Sequence, residues 1–460
     1  MSELTEIQSF YKGKNIFVTG GTGLMGKVLI EKLLYSCTDI NKIYVLIRPK
    51  RGRTPEIRMD EMLKLPMFQR IRKQKPQMMK KVVTLNGDVS VENLGLSKEQ
   101  SEILMNEIDI VFHFAATLKL EAKLKDAIEM NTIGTKRILE LAKKMKKLKT
   151  FVHLSTAFCY ADKEELDEKV YDPSTDPHDV MKMVEWLDES AIDLITPKLL
   201  NLHPNTYTYS KRLAEKLVAD EYPNLPCSIA RPSIVTPALA EPLPGWVDNL
   251  NGPVGIMVGA GKGVIRSMLC NGNYHAEMIP VDFAINSLIA IAHKTATNEK
   301  NTSIPVYNIT QSGVVPITWG EILGKGKKIA YQYPFEGQIW YPDGDIQVIM
   351  VRIQNRISIG LELLQYFTTR EWVFHNTNLL ILWGEMNPKD KEIFPIDLLS
   401  IDDNEYIKTC VLGARQYCMK ENLSTLPKAR RHQTIFGLDT VTEHMKSLPI
   451  LNKVMQKFDH

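Results

Sequence analysis

Short apolar runs alternate with longer segments of helical periodicity through the first half of the chain. Five of these runs have the length and composition of buried strands. They cover residues 15–18, 42–47, 81–85, 109–114 and 150–154. In the segment after the first run, apolar side chains such as Met25, Leu29 and Leu33 recur at helical spacing. Strands that alternate with helices form parallel sheets with right-handed crossovers. The pattern therefore predicts an α/β fold built on a doubly wound parallel sheet.

A glycine-rich stretch, Thr19 to Gly26, joins the first apolar run to the first helical segment. Its spacing, G-x-x-G-x-x-G, is a variant of the fingerprint of dinucleotide-binding turns. Gly20 would allow a tight turn, Gly23 would let the backbone approach a pyrophosphate, and Gly26 would let the helix pack close to the strand. Amides at the helix N-terminus would then hold the phosphates. A turn without a ligand is the alternative. The predicted cofactor contacts are Gly20, Gly21, Thr22, Gly23, Leu24, Met25 and Gly26.

The second apolar run ends in Arg48, about twenty residues after the glycines, where a group that binds the cofactor ribose is expected. An NAD site carries an acidic residue there, whereas a 2′-phosphate calls for arginine. Because Lys50, Arg51 and Arg53 follow, the sequence favours NADPH over NADH, with a solvated basic loop as the alternative. The methionine-rich stretch from there to about Lys80 is expected to be helical and exposed.

Residues that could contact a nucleotide follow three more of the predicted strands. Asp88 could accept a hydrogen bond from the adenine amino group, and a plain turn is the rival interpretation. Ala115 leaves room for a nucleotide, and Ser155 and Thr156 offer hydroxyl groups. Ligands bind beyond the carboxyl ends of parallel strands. We therefore expect these residues to line one site together with the glycine-rich stretch.

Tyr207 and Lys211 lie four residues apart in a segment that is predicted to open a helix, so they share one helix face. A phenol with a pKa of about 10 is a poor acid–base group at neutral pH. A nearby ammonium group would favour the phenolate and lower that pKa. Thr156, with Ser155 as the less favoured choice, would offer a hydroxyl to the same carbonyl oxygen. These four residues form the predicted catalytic group.

The composition is that of a globular protein without a marked charge. The chain has 460 residues, of which 44% are hydrophobic and 24% charged, and its net charge is +3. The length suggests two domains, and the charge gives no argument for nucleic acid. The six cysteines include no C-x-x-C pair, so neither a metal site nor a disulfide framework is indicated. The N-terminus lacks a secretion signal and no apolar run reaches the ~18–20 residues of a spanning helix. A reducing, cytosol-facing compartment is therefore expected.

Several motifs taken together resemble a known family. The glycine-rich stretch, Ser155-Thr156, the Tyr207–Lys211 pair and residues 230–235 are similar to the extended short-chain dehydrogenases/reductases. Longer stretches resemble the insect branch of the alcohol-forming fatty acyl-CoA reductases. These stretches are residues 20–34, 46–50, 244–253, 258–263, 304–308, 316–320, 366–372, 376–378 and 425–430. The resemblance covers nearly the whole chain.

This resemblance implies NADPH-dependent, two-step reduction of a long-chain fatty acyl-CoA to a primary fatty alcohol with release of CoA. It implies a Rossmann-type extended reductase domain over residues 1–345 and a mainly helical domain over residues 346–460. Tyr207 and Lys211 would act with Thr156, and Lys211 would also bind the nicotinamide ribose. Asn131, in the long helix after the fourth strand, would help to hold the nicotinamide side of the cofactor.

Lys262 and Arg266 flank a predicted glycine-rich turn at residues 259–263. In a fatty acyl-CoA reductase the CoA pyrophosphate must dock near the sheet, and these two cations are candidates to bind it. A structural turn with incidental charges is the alternative.

Members of the insect branch associate with the endoplasmic reticulum or peroxisome membrane and usually carry a long apolar segment before the position of Tyr366. Here that interval is short, and residues 346–364 include Arg352, Arg356 and Glu362. The favoured interpretation is a surface helix packed on its own domain, and the second is an interfacial helix lying on a membrane. Membrane contact is thus expected to be peripheral at most.

Two other functions compete with this interpretation. One is an extended reductase or epimerase that acts on a sterol, flavonoid or nucleotide sugar, and the C-terminal motifs argue against it. The other is a cofactor-binding protein without turnover, and the intact Tyr207–Lys211 pair argues against that.

Overall fold

Seven parallel strands form one sheet in the computed structural model, which describes residues 3–265, 268–298, 302–336 and 360–434. The strands of these residues are β1 Asn15–Thr19, β2 Lys42–Ile47, β3 Val82–Asn86, β4 Ile110–His113, β5 Thr150–Leu154, β6 Glu165–Leu166, β7 Cys227–Pro232, β8 Ile234–Thr236, β9 Met278–Pro280, β10 Val306–Ile309 and β11 Val373–Phe374. The order in the large sheet is β10-β7-β5-β4-β1-β2-β3, while β6 pairs with β11 and β8 with β9. The predicted doubly wound parallel sheet is confirmed.

The five predicted strands all belong to the large sheet, and their ends differ from the predicted ends by no more than one residue. β1 and β4 are buried at every position, as expected for strands with helices on both faces. Chain order reverses between β1 and β4, where Thr19 lies opposite His113. In open α/β sheets, ligands bind beyond the carboxyl ends of the strands at such a switch point.

Helices connect the strands and make up most of residues 360–434, the part of the C-terminal region that the structure describes. They are α1 Glu6–Tyr11, α2 Leu24–Ser36, α3 Pro55–Leu63, α4 Gln69–Gln74, α5 Lys98–Glu107, α6 Leu124–Ala127, α7 Gly134–Ala142, α8 Pro177–Trp186, α9 Glu189–Leu200, α10 Thr206–Asp220, α11 Pro253–Gly261, α12 Val281–Thr297, α13 Trp319–Gln332, α14 360–368, α15 Thr377–Glu385, α16 Pro388–Ile393, α17 Asp403–Gly413 and α18 426–434. A π-helical turn, Ile128–Ile133, joins α6 to α7. The helical character expected for the C-terminal region is confirmed.

Both faces of the large sheet are covered. Phe17, Val111 and Phe151 share an apolar cluster with α7 and α10. Ile16 and Val18 alternate with Phe17 along β1 and are also fully buried, so the opposite face is covered too. α12 packs against α2, β5 and β7. This arrangement fixes the carboxyl ends of β1, β4 and β5 beside the start of α10.

Internal contacts divide the chain into two compact units, each made of three separate segments. The first contains the described residues up to Pro244 together with His275–Ile317 and Arg370–Ile401. The second contains Gly245–Tyr274 and the described residues of 318–369 and 402–460. The predicted boundary between residues 345 and 346 lies outside the described residues and stays a prediction. The same holds for most of the amphipathic stretch at 346–364. Among the helices that are described, none is both long and apolar enough to cross a bilayer.

Candidate active site

The glycine-rich turn lies where the ends of β1 and β4 meet. Gly20 has a φ of +71°, and a Cβ atom there would lie 2.6 Å from the carbonyl carbon of Phe114 and 2.7 Å from the amide nitrogen of Ala115. A Cβ on Gly26 would lie 2.5 Å from the carbonyl oxygen of Gly20. Both positions therefore require glycine, as the sequence pattern predicted.

The first turn of α2 has no side-chain cap. Its N-cap residue is Gly23, whose backbone is extended and whose amide donates to the Gly20 carbonyl at 3.0 Å. Serine, threonine or aspartate at this place would bond to the first helical amides. Without such a side chain, the amides and the positive end of the helix dipole can face a phosphate. The residues present therefore fit a dinucleotide pyrophosphate.

A chain of buried hydrogen bonds connects this turn to the π-helical turn. Thr19 Oγ1 accepts from the Phe114 and Ala115 amides at 3.2 and 3.1 Å, so its own proton goes to His113 Nδ1 at 2.8 Å. His113 Nε2 then carries the ring proton and faces Thr135 Oγ1 at 3.0 Å. Burial, and to a lesser degree Lys211, lower the pKa of His113 to about 3, so the ring is neutral. It acts as a structural link, not as an acid or base.

Asn131 sits in the π-helical turn, and all of its amide atoms are used. Its Oδ1 accepts from the Thr117 amide at 2.8 Å, and its Nδ2 donates to the Thr117 carbonyl at 3.2 Å and to Ser210 Oγ at 2.9 Å. Ser210 is the residue before Lys211 in α10. Asn131 therefore joins the loop after β4 to the helix that carries Tyr207 and Lys211. π-Helical turns often mark functional sites.

Thr156 and Tyr207 are brought together at the end of β5. Asn205 caps α10 by accepting from the Thr208 amide at 2.9 Å, and this cap places Tyr207 in the first turn of the helix. Thr156 Oγ1 accepts from the Phe158 amide at 3.3 Å and lies near enough to the Tyr207 hydroxyl to lower the pKa of the phenol. Burial is the larger influence and raises the pKa of Tyr207, and the Cys159 thiol adds to the rise, so the lowering that was predicted from Lys211 is wrong. The phenol is protonated at neutral pH.

Ser155 is turned toward different groups. Its hydroxyl lies against Glu215 and Cys159, where it helps to lower the pKa of the Glu215 carboxyl. The structure thus separates two neighbouring hydroxyls: Thr156 faces Tyr207, and Ser155 faces a buried carboxylate.

Lys211 is buried beside the same strand end. Its Nζ donates to the Leu154 carbonyl at 2.7 Å and lies 3.4 Å from His153 Nε2. Burial lowers the pKa of Lys211 to about 8, while Glu215 and Cys159 act to raise it. Lys211 is therefore mainly charged at pH 7 and loses its proton far more readily than an ordinary lysine.

Sequence reasoning missed a buried ion pair under this site. Arg231 Nε and Nη2 donate to the two carboxylate oxygens of Glu215 at 2.8 and 2.7 Å, and neither side chain is exposed to solvent. Arg231 also donates to the backbone carbonyls of Asp167 and Lys169. Glu215 follows Lys211 by four residues, a spacing that places both on one helix face. This spacing was the sequence signal that could have indicated a carboxylate close to Lys211.

Basic residues surround the glycine-rich turn, in a group that we call the basic loop: Arg48, Lys50, Arg51 and Arg58. Arg48 pairs with Asp88 at 3.2 Å, and its side chain is 50% exposed. Arg58, which the sequence analysis did not single out, donates to the Arg48 carbonyl at 2.5 Å and to Thr22 Oγ1 at 3.2 Å. Asp88 also accepts from the Ser90 amide at 3.0 Å. The structure thus links Arg48, Asp88 and Arg58 to Thr22 of the glycine-rich turn.

The surroundings of Lys262 differ from the glycine-rich turn that was predicted for the CoA-binding residues. Residues 259–261 are the end of α11 and not a turn, and the turn begins only at Lys262. Lys262 donates to Glu421 Oε1 at 2.9 Å and to the Glu336 carbonyl at 2.7 Å. Glu421 Oε2 in turn accepts from the buried Arg415 at 3.0 Å. Lys262 therefore belongs to a salt-bridge cluster, and Arg266 lies outside the described residues.

The fold and the glycine-rich turn are those of a dinucleotide-binding protein with a Rossmann-type sheet. Solved structures share this fold. The terminal R domain from the myxalamid PKS-NRPS biosynthetic pathway aligns with a TM-score of 0.59 and 20% identity, over 89% of this chain and 93% of that one. UDP-glucuronic acid 4-epimerase from Bacillus cereus, solved with NAD, aligns with a TM-score of 0.52 and 15% identity, over 89% and 99%. These likenesses concern the fold.

Sequence relatives define the family. Family models described as male sterility protein match residues 18–288 and 345–421. Fatty acyl-CoA reductase 1 of Xenopus laevis is 37% identical, and that of Homo sapiens 36%, each over 93% of this chain and 89% of the relative. Fatty acyl-CoA reductase 2 of Bos taurus is 34% identical over the same shares. The chain belongs to the fatty acyl-CoA reductase family.

Proposed function

We propose that this protein reduces long-chain fatty acyl-CoA to primary fatty alcohol with two molecules of NADPH. In the first step, acyl-CoA, NADPH and a proton give aldehyde, free CoA thiol and NADP⁺. In the second step, aldehyde, NADPH and a proton give alcohol and NADP⁺. The names of the relatives support the substrate class.

The closeness of the Thr156 and Tyr207 hydroxyls, beside buried Lys211, carries the proposal. Both hydroxyls could donate to the oxygen that develops negative charge when a thioester or aldehyde carbonyl is reduced. The bound nicotinamide supplies the hydride. Tyr207 is protonated, so it can transfer its proton to the alkoxide. The Lys211 ammonium then stabilises the phenolate that remains.

Crowding of cations in the basic loop supports NADPH over NADH. Burial comes first among the causes that lower the pKa of Lys50, and the charges of Arg58, Arg48, Arg51 and Lys119 follow. Burial and then Arg48 likewise lower the pKa of Arg58. Like charges held together in this way are relieved by an anion with several acceptor oxygens. A ribose 2′-phosphate has this chemistry, and it belongs beyond β2 in this fold.

Within the basic loop, Arg58 is the strongest candidate for the phosphate contact. Arg48 shares its charge with Asp88, whereas the Arg58 bonds described above go to a backbone carbonyl and to a hydroxyl of the glycine-rich turn. Its guanidinium is thereby held beside the site of the pyrophosphate. Arginine can bind a phosphate through two parallel hydrogen bonds.

One hydroxyl pair and one glycine-rich turn imply that both hydrides are delivered at the same place. The aldehyde must stay bound while NADP⁺ is exchanged for NADPH. Each buried CH₂ contributes about 0.8 kcal/mol, so retention should improve with chain length. Long substrates should therefore give alcohol, and shorter ones should release some aldehyde.

Product analysis tests this proposal. Purified protein would receive NADPH and a mixture of acyl-CoAs of different length, with and without a hydrazine that traps aldehydes. We expect alcohol by gas chromatography, two NADPH oxidised per CoA thiol released, and little trapped aldehyde from the longest chains. One NADPH per CoA with stoichiometric trapped aldehyde would instead define an aldehyde-forming enzyme. NADPH binding without oxidation would favour a cofactor-binding protein without turnover.

A further inference from the structure

The ammonium group of Lys211 is held by two acceptors and has one N–H group left over. Its three protons can serve three acceptors. The Leu154 carbonyl takes one at 2.7 Å, and His153 Nε2 lies 3.4 Å away in position for the second. The third N–H group remains for the nicotinamide ribose. The direction of that third group is set by the first two.

His153 can fill this role in one protonation state. An ammonium group only donates, so Nε2 must be the unprotonated nitrogen and Nδ1 must carry the ring proton. Nδ1 is buried and has no hydrogen-bond partner among the described residues. A buried N–H group without a partner destabilises the folded protein. A leucine would fill this core position without that cost, so the imidazole calls for a functional explanation.

We propose that His153 is a positioning residue that orients the Lys211 ammonium and favours its charged form. The inference rests on the proposed roles of Lys211. It assigns to a core histidine, at the end of β5, a direct effect on the cation of the site. His113 is also a buried histidine, but both of its ring nitrogens bond to threonine hydroxyls, those of Thr19 and Thr135. It is therefore an example of a histidine with a purely structural role.

The charged and titratable groups around Lys211 come from four elements. They are His153 on β5, His113 on β4, Cys159 in the turn after β5, and Glu215 on α10. Tyr207 also lies on α10, four residues before Lys211 on the same helix face. Both histidines are neutral, because burial and the Lys211 charge lower their pKa values. Glu215 is the main group that raises the Lys211 pKa, and it is already paired with Arg231. Few groups therefore stabilise the charged form of Lys211, and the neutral His153 ring is one more acceptor for its ammonium group.

Two amide substitutions separate the role of Nε2 from the presence of a polar side chain. The amide of glutamine reaches the place of Nε2, whereas the shorter amide of asparagine reaches only that of Nδ1. His153→Gln should keep the acceptor, and His153→Asn should remove it with the same functional group. Loss of a hydrogen bond made by an ammonium group lowers the pKa of that group, because the bond favours the charged form. In His153→Asn the alkaline limb of kcat/KM should move down by about 0.5–1 pH unit, and in His153→Gln by less than about 0.3.

NADPH binding provides a second measurement that does not depend on turnover. Fluorescence of the bound nicotinamide, titrated from about pH 6 to pH 10, should show a weakening of affinity as Lys211 loses its proton. That transition should fall at lower pH in His153→Asn and return close to the wild-type position in His153→Gln. Thermal unfolding of each variant would verify that it is folded.

The outcomes are distinct. Superimposable pH profiles for wild type and His153→Asn, in both turnover and NADPH binding, would overturn the positioning role. Equal shifts in the glutamine and asparagine variants would do so as well, because they would indicate a general packing effect. If the wild-type protein binds NADPH but turns over no acyl-CoA, the proposed function is wrong. The role of His153 is then tested by the NADPH titration alone.

Discussion

The two ends of the candidate site achieve their chemistry by different means. The proposed catalytic end, made of Thr156, Tyr207 and Lys211, is mostly buried, and Lys211 donates a short hydrogen bond to the Leu154 carbonyl there. The basic loop is largely exposed and relies on several cations that act together. In a buried site the cost of removing a charge from water dominates, as the pKa values of Tyr207 and Lys211 show. In an exposed site charge number and salt dominate.

This difference predicts that mutations at the catalytic end have larger and more specific effects than mutations in the basic loop. The ion pair beneath Lys211 provides the largest expected contrast. Arg231→Met leaves Glu215 buried without its ion-pair partner, and should lower the free energy of unfolding by about 3–5 kcal/mol. Glu61→Ala removes the exposed pair with Arg53, at 2.7 Å, and should change it by less than about 1 kcal/mol. Urea denaturation of both variants would make the comparison, and similar losses would contradict it.

The neighbouring hydroxyls offer a sharper contrast within the catalytic end. Thr156→Val keeps the shape but removes the hydroxyl that faces Tyr207, so kcat should fall about 10²–10³-fold. Ser155→Ala removes a hydroxyl that faces Glu215, so kcat should fall by no more than about threefold, because Ser155 touches no reacting atom. NADPH binding should be nearly unchanged in both. If Ser155→Ala were the more damaging change, the assignment of the carbonyl-binding hydroxyl would be reversed.

At the other end, Arg58→Ala should weaken NADPH binding about ten- to a hundredfold, since a charge-assisted bond contributes about 1.5–3 kcal/mol. NADH binding should hardly change.

Arg48→Asp should also shift preference toward NADH, because it replaces a cation with an acceptor for the ribose 2′-hydroxyl. Fluorescence titrations with both cofactors would measure the ratios. A larger NADPH loss in Arg48→Ala than in Arg58→Ala would return the phosphate contact to Arg48.

The pH dependence should come from the catalytic end. Because the pKa of Lys211 is lowered to about 8, the ammonium group is present below that pH and is lost above it. The value of kcat/KM should therefore fall as pH rises through about 8, approaching tenfold per unit. An ordinary lysine would hold activity constant to about pH 10. A profile that is flat to pH 10 would show that Lys211 is not buried as described.

Salt should produce the smallest effect, and it should act at the basic loop. Raising ionic strength from about 0.05 to 0.5 M shortens the Debye length well below 10 Å. The ratio of NADPH to NADH affinity should fall severalfold, while kcat at saturating substrate should change little. An equal response of kcat would mean that the catalytic end is more exposed to solvent than its burial indicates.

The sequence predicted the elements that depend on local pattern. Five of the seven strands in the large sheet were found because each is a short apolar run, whereas β7 and β10 were not predicted. Tyr207 and Lys211 were found because helical spacing places them on one face. Residues after Arg48 were correctly expected to be helical, but Met59 and Met62 of α3 are buried and not exposed. Methionine is apolar and adaptable, so it packs into a core even within a charged segment.

The rest depended on contacts between distant residues. Arg58 reaches Thr22 only because α3 folds back over the end of β2, and nothing in the spacing of these residues indicates it. Lys262 binds Glu421, which is distant in sequence, so no sequence pattern indicated this ion pair. Lys262 was therefore interpreted as a basic residue that binds the CoA pyrophosphate. Asn131 was found through the family resemblance, while its π-helical turn has no recognised sequence pattern.

Assay of Tyr207→Phe on the two half-reactions tests the central claim most directly. Wild type and variant would each be given NADPH with a long-chain acyl-CoA, and separately with the corresponding free aldehyde. Because one phenol is proposed to serve both steps, the variant should lose about 10²–10⁴-fold in both while still binding NADPH. Reduction of the aldehyde by Tyr207→Phe at the wild-type rate would contradict a single site for the two hydride transfers.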